Sequence, residues 1–66
     1  MEPFEMFWKK GDKLKIRGHH SEPGKGLSYA AKTIVAAEDG VGGGWDVYDA
    51  EDGTSFYGFS VDVIVL

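Results

Sequence analysis

Charged and aliphatic residues alternate strictly through Lys13-Leu14-Lys15-Ile16-Arg17. A period of two is that of a half-buried strand, with Leu14 and Ile16 turned inward and the cations outward. Gly11-Asp12 before the run and Gly18 after it are turn punctuation. His19 to Leu27 is polar and glycine-rich, with Pro23, Gly24 and Gly26, and reads as a long loop. Tyr29 to Ala37 is apolar, with β-branched Thr33, Ile34 and Val35 at its centre. That favours a strand, although the alanines also admit a helix. Glu38-Asp39-Gly40 marks a turn, and Gly42-Gly43-Gly44 a flexible or tightly bent connection.

Trp45 to Tyr48 has the aromatic and β-branched content of a strand. Glu51-Asp52-Gly53 then matches a tight hairpin turn, because Asp-Gly supplies the positive φ such turns need. Thr54 to Phe59 is the returning strand, and Gly58 within it signals a bulge or a close backbone approach. Ser60-Val61-Asp62 is expected to form one 3₁₀ turn, and Val63 to Leu66 to close the sheet. At the other end, Pro3 and Glu5 are compatible with a single helical turn over the first eight residues, and an extended arm is the alternative. About five short strands with turns between them and no convincing helix imply an all-β domain, and the length favours a small barrel.

Composition narrows this. The chain has 66 residues, enough for one domain, and a domain of that size buries only about 60% of the surface its unfolded chain exposes. It has no cysteine, so neither a disulfide nor a thiolate zinc site can staple it. Aromatics make up 14% of the residues, which helps so short a chain fold because aromatics bury the most area each. No run approaches the ~20 apolar residues of a membrane span. No basic segment leads into an apolar one as in a signal peptide. The expected location is the cytoplasm, without a membrane partner.

The net charge of −4 argues against nucleic acid as the main partner. The charge is also unevenly placed. Lys9, Lys10, Lys13, Lys15, Arg17, Lys25 and Lys32 all lie in the first half, and from Thr33 onward there are acids but no Lys or Arg. A locally paired, solvated surface accounts for this. A dipolar molecule that stacks on itself is the alternative.

Candidate chemistry is sparse. His19 and His20 are adjacent, so in an extended segment they point to opposite sides and do not converge on one metal. Asp46, Asp49, Glu51 and Asp52 lack calcium-loop spacing and are better read as a hairpin turn. Gly40 to Gly44 lacks the lysine and hydroxyl residue of a phosphate loop. No serine sits in a nucleophile motif. The expectation is a protein with no catalytic residues, no metal and no cofactor.

The aromatics carry more information. Trp8, Tyr29, Trp45, Tyr48, Tyr57 and Phe59 exceed what so small a core needs. Strand alternation separates Trp45 and Val47 from Tyr48, and Tyr57 and Phe59 from Phe56, so one set fills the core and the other faces out. Phe4, Phe7 and Trp8 form a second cluster, which either caps the open end of a barrel or docks on another chain.

Lys10-Gly11-Asp12-Lys13-Leu14-Lys15-Ile16 resembles the opening strand of bacterial SH3-like barrels. Asp49 to Gly53, Phe56 and Ser60 to Val63 resemble their closing hairpin, 3₁₀ turn and last strand. More narrowly, the layout is similar to a small actinobacterial SH3-like domain of unknown function. The matching residues are Gly11-Asp12, Leu14, Ile16, Gly18-His19, Pro23, Ile34, Trp45 to Val47, Asp52-Gly53 and Phe56 to Asp62. The resemblance spans about residues 10 to 65 and implies a five-stranded SH3-like barrel over 10–66 behind an aromatic arm over 1–9. It also implies a peptide-binding groove at Tyr29, Tyr48 and Tyr57, to which the surplus aromatics Trp45 and Phe59 are added as binding candidates.

Three functions follow as expectations. The first is a non-catalytic interaction module for a protein or peptide, a small adaptor or phage accessory protein. The second is a homo-oligomeric assembly protein that associates through Phe4, Phe7 and Trp8. The third is a nucleic-acid binder of the KOW type using Lys13, Lys15, Arg17 and Lys32.

Overall fold

The computed structural model describes residues 7–41 and 45–66. Its strands are β1 (Phe7–Trp8), β2 (Lys13–Glu22), β3 (Gly26–Ser28), β4 (Lys32–Val35), β5 (Gly40–Val41), β6 (Val47–Asp49) and β7 (Ser55–Val65). All pairings are antiparallel, and no helix occurs among the described residues. The fold is therefore all-β. A Cα radius of gyration of 10.4 Å is close to the about 11 Å of a compact chain this long.

The strand expected to end at Arg17 continues to Glu22, so the long loop expected over His19 to Leu27 is instead a hairpin. Leu14, Ile16, Gly18, His20 and Glu22 turn inward in unbroken alternation. Past Ile16 the inward residues are glycine, histidine and glutamate, so the period is present but its hydrophobic signal is not. Pro23-Gly24-Lys25 turns the chain, Lys25 N–H donates to Glu22 O at 3.1 Å, and β3 pairs back with Ser21 opposite Leu27. One edge of β2 is thus shared. β4 takes the first half, with Leu14 opposite Ile34, and β3 takes the second. β4 is shorter than the expected Tyr29 to Ala37.

The other edge of β2 pairs with β7, which is one strand of eleven residues; the 3₁₀ turn expected at Ser60-Val61-Asp62 is absent. The register runs from Leu14–Val65 to Gly18–Val61, then resumes at His20–Phe56. Tyr57 to Ser60, which include Gly58, stand against His19 alone, three residues in excess. Such a bulge bends the strand, and here β7 turns onto β6. Gly18 makes room for it: its φ is +130°, and a Cβ there would lie 2.7 Å from Ser60 O. The β6–β7 turn is the expected one, with Gly53 at φ +91° and Ala50 N–H donating to Thr54 O at 2.7 Å.

Strand order in the main sheet is β3-β2-β7-β6, with β4 also on β2, and β1 and β5 form a separate pair. These sheets are not themselves closed into a barrel. One isolated bridge, Ala36 to Ala50, joins the end of β4 to the end of β6, reinforced by Glu51 N–H donating to Val35 O at 2.9 Å.

The core gathers Trp8, Leu14, Ile16, Ile34, Ala36, Tyr48, Ala50, Phe56, Val61 and Val63. Each large side chain in it contributes about 1.5–3 kcal/mol by leaving water. Trp8, a candidate for self-association, is only 3% exposed and lies edge-on to Tyr48, ring centroids 5.1 Å apart. It caps the core rather than offering a face to another chain. Its indole lies where a Cβ of Gly40 would be, so β5 needs glycine opposite Trp8. Phe7, by contrast, is exposed; Phe4 lies outside the described residues.

Candidate functional site

The outer face of the four-strand path β3-β2-β7-β6 carries the side chains that alternate with the core. Three rows cross it. In the first, Leu27, Ser21, Ser55 and Asp49 are successive cross-strand partners. In the second, Val47 opposes Tyr57, and His19 is the outward residue of β2 where the register with β7 shifts. Tyr29 completes that row, its ring edge-on to His19 at 4.5 Å. In the third, Trp45 and Phe59 stack at 3.8 Å with their planes 10° apart.

Six large apolar side chains stay open to solvent on this one face: Trp45 (68% exposed), Leu27 (63%), Tyr29 (61%), Val47 (57%), Phe59 (54%) and Tyr57 (43%). Their arrangement follows from the pleat. Val47 and Asp49 alternate with buried Tyr48, and Tyr57 with buried Phe56, while Trp45 stands just before β6. These three rows are almost uncharged. Their one carboxylate, Asp49, accepts a hydrogen bond from Ser55 Oγ at 2.6 Å.

Of the five candidate binding aromatics, four stand on this face, namely Tyr29, Trp45, Tyr57 and Phe59. Tyr48 does not. It is 9% exposed, tilted against Phe56 in the core, and its hydroxyl donates to Val41 O at 3.2 Å. Leu27 and His19 belong to the face but were hidden in the expected loop. The signal that places them is the alternation from Leu14 to Glu22, which sets His19 and Ser21 outward.

A second feature lies at the inward end of β2. His20 and Thr54 are fully buried polar residues. His20 Nδ1 stands 2.9 Å from Gly18 O, and Nε2 stands 3.2 Å from Glu22 Oε2. Both ring nitrogens therefore lie within hydrogen-bond distance of an oxygen. Lys32 Nζ donates to Glu22 Oε1 at 3.2 Å and to Thr54 Oγ1 at 2.7 Å, and pairs with Asp52 Oδ2 at 3.0 Å. His20 thus lies in a strand and not in the loop expected over His19 to Leu27.

The charges of this network are mutually supported. Asp52 is pulled from 3.8 down to about 2, chiefly by the backbone N–H of Thr54 and then by its side chain. Glu22 falls below its ordinary 4.5, chiefly through the Lys32 hydrogen bond. Lys32 rises above its ordinary 10.5, chiefly through Asp52. Among the described residues no buried side-chain nitrogen or oxygen lacks a partner, and no three acidic or histidine side chains converge as a metal site. No helix among them is long and apolar enough to cross a membrane.

The basic residues divide in the same way. Lys13, Lys15 and Arg17 point outward on the first half of β2, and Arg17 pairs with Asp62 at 3.2 Å. Lys32 is turned into the buried network. The chain matches no protein-family model, and no curated protein or solved structure is significantly similar to it.

Proposed function

We propose that this chain is a small cytoplasmic, non-catalytic interaction module of SH3-like barrel architecture that binds a protein or peptide on the outer face of β3-β2-β7-β6. The barrel reading draws support from the strand circuit. β4, β2, β7 and β6 are neighbours in that order, and the Ala36–Ala50 bridge brings β6 back to β4.

The single observation that carries the function is the three-row face with its six exposed apolar side chains. Scattered surface apolar residues need no explanation, but a contiguous set on one sheet marks an interaction site. Aromatics are also the residues that dominate binding energy at interfaces. The non-catalytic reading draws support from the polar network, whose titratable groups are bonded to one another. A nucleic-acid surface of the KOW type draws less support, because two of its four cations, Arg17 and Lys32, are already engaged.

Panning a random peptide library against the immobilised chain tests the reading. Enriched peptides are expected to lose binding to Tyr57→Lys and to keep it with Lys13→Glu. Peptides that bind both variants equally, or no enrichment at all, would sink it.

A further inference from the structure

The aromatic face differs from the rest of the surface in charge as well as in polarity. No Lys or Arg stands in its three rows, and its one carboxylate is occupied by Ser55. Lys13, Lys15 and Arg17 lie on the other half of β2. A partner selected by charge would find nothing here to read. A partner with the same character meets no like-charge repulsion.

The area is that of an interface. With about 200 Å² for a fully exposed aromatic side chain, the exposed parts of Tyr29, Trp45, Tyr57 and Phe59 offer roughly 450 Å². Leu27, Val47 and the polar members of the rows bring the face near the roughly 800 Å² that each partner of a stable complex buries. The shape also fits, because sheets stack face to face about 10 Å apart with their strands nearly aligned. A chain this short, without cysteine, gains from any further burial.

We infer that the occupant of this face is a second copy of the chain, packed face to face across a two-fold axis. The inference rests on the reading of this face as an interaction surface and names its partner. A two-fold contact uses the same patch on both copies and closes on itself. It consumes the apolar face and leaves the cations of β2 in solvent, so the dimer holds at high salt.

Light scattering of the full chain from micromolar to millimolar concentration tests this at low and high salt. The expected result is a rise to twice the chain mass that salt does not reverse. Val47→Lys, which sets like charges against each other across the axis, is expected to weaken the dimer at least about a hundred-fold while the circular dichroism of the fold is retained. Because the chain has no cysteine, Ser21→Cys places one thiol on the face and Lys13→Cys one away from it. A short bis-maleimide is expected to join two copies of the first and not of the second.

A wild-type chain that stays monomeric throughout overturns the inference. The interaction reading then survives if library peptides still bind in a Tyr57-dependent way, and falls if they do not. A dimer unaffected by Val47→Lys, or one joined through Lys13→Cys alone, also overturns it. So does a monomer in which Phe4→Ser alone shifts the Trp45 environment, which would assign the face to the chain's own first residues.

Discussion

Two regions of β2, one on each side of the same sheet, invert the usual placement of side chains. Inside, His20 and Thr54 are buried with Lys32, Glu22 and Asp52 gathered around them. Outside, Trp45, Tyr57 and Phe59 stand in water with Leu27 and Val47. The buried polar set is complete in itself, each donor and acceptor finding a partner within the chain. The exposed apolar set stays open to solvent despite the Trp45–Phe59 stack, the His19–Tyr29 edge and the Val47–Tyr57 pair. A satisfied polar cluster fixes how β2, β4 and the 51–54 turn fit together. The exposed apolar face is the surface that the proposed association would cover.

The comparison breaks most severely at Gly18, where β7 bulges over β2 and so separates the inner register from the outer rows. Gly18→Val combines overpacking against Ser60 O with a positive φ that a β-branched residue does not tolerate. The expected loss is about 3 kcal/mol or more, measured by urea unfolding. Thr54→Val keeps the shape and removes the hydroxyl that accepts from Lys32. It is expected to cost about 1–3 kcal/mol, the range for leaving a buried polar partner unmatched.

Acid acts on the inner region. The carboxyls of Glu22 and Asp52 titrate lower in the folded chain than their ordinary 4.5 and 3.8. Their contribution is therefore fully present above about pH 4.5 and is lost as pH falls through the folded values, toward about 2 for Asp52. Lys32 is raised, so its contribution is present below 10.5 and is lost as pH climbs through its folded value. Unfolding midpoints are expected to fall on both flanks. The acid-side fall is expected to flatten in a double variant, Glu22→Gln with Asp52→Asn.

Much of this was legible in the sequence, and the parts that were not share one cause. Leu14 and Ile16 announce the first half of β2 because their inward positions are aliphatic. The second half is hidden because Gly18, His20 and Glu22 occupy the same inward positions, and a polar interior looks like a loop. With β3 lost to that loop, Leu27 and His19 could not be joined to Tyr57. The alternation of Trp45 and Val47 against Tyr48 was readable, and it places Tyr48 inside. Ser60-Val61-Asp62 looked like a turn because a bulge is set by what lies across from it, here Gly18, and not by its own residues.

The smallest expected effect sharpens the comparison from the outer side. Tyr57→Ser removes a large apolar group that already faces solvent. At low micromolar concentration its stability is expected to stay within about 0.5 kcal/mol of the parent. At high concentration the parent is expected to gain stability that Tyr57→Ser does not, because association stabilises only the state that associates.

The two tryptophans allow the account to be tested in one spectrum. Trp8 belongs to the core and Trp45 to the face, and there is no third. With 5-fluorotryptophan incorporated, the ¹⁹F resonance of Trp8 is expected to hold its position from micromolar to millimolar chain, while that of Trp45 moves as the face is covered. A Trp45 resonance that stays fixed over the whole range would contradict the claim that a second copy of the chain covers this face.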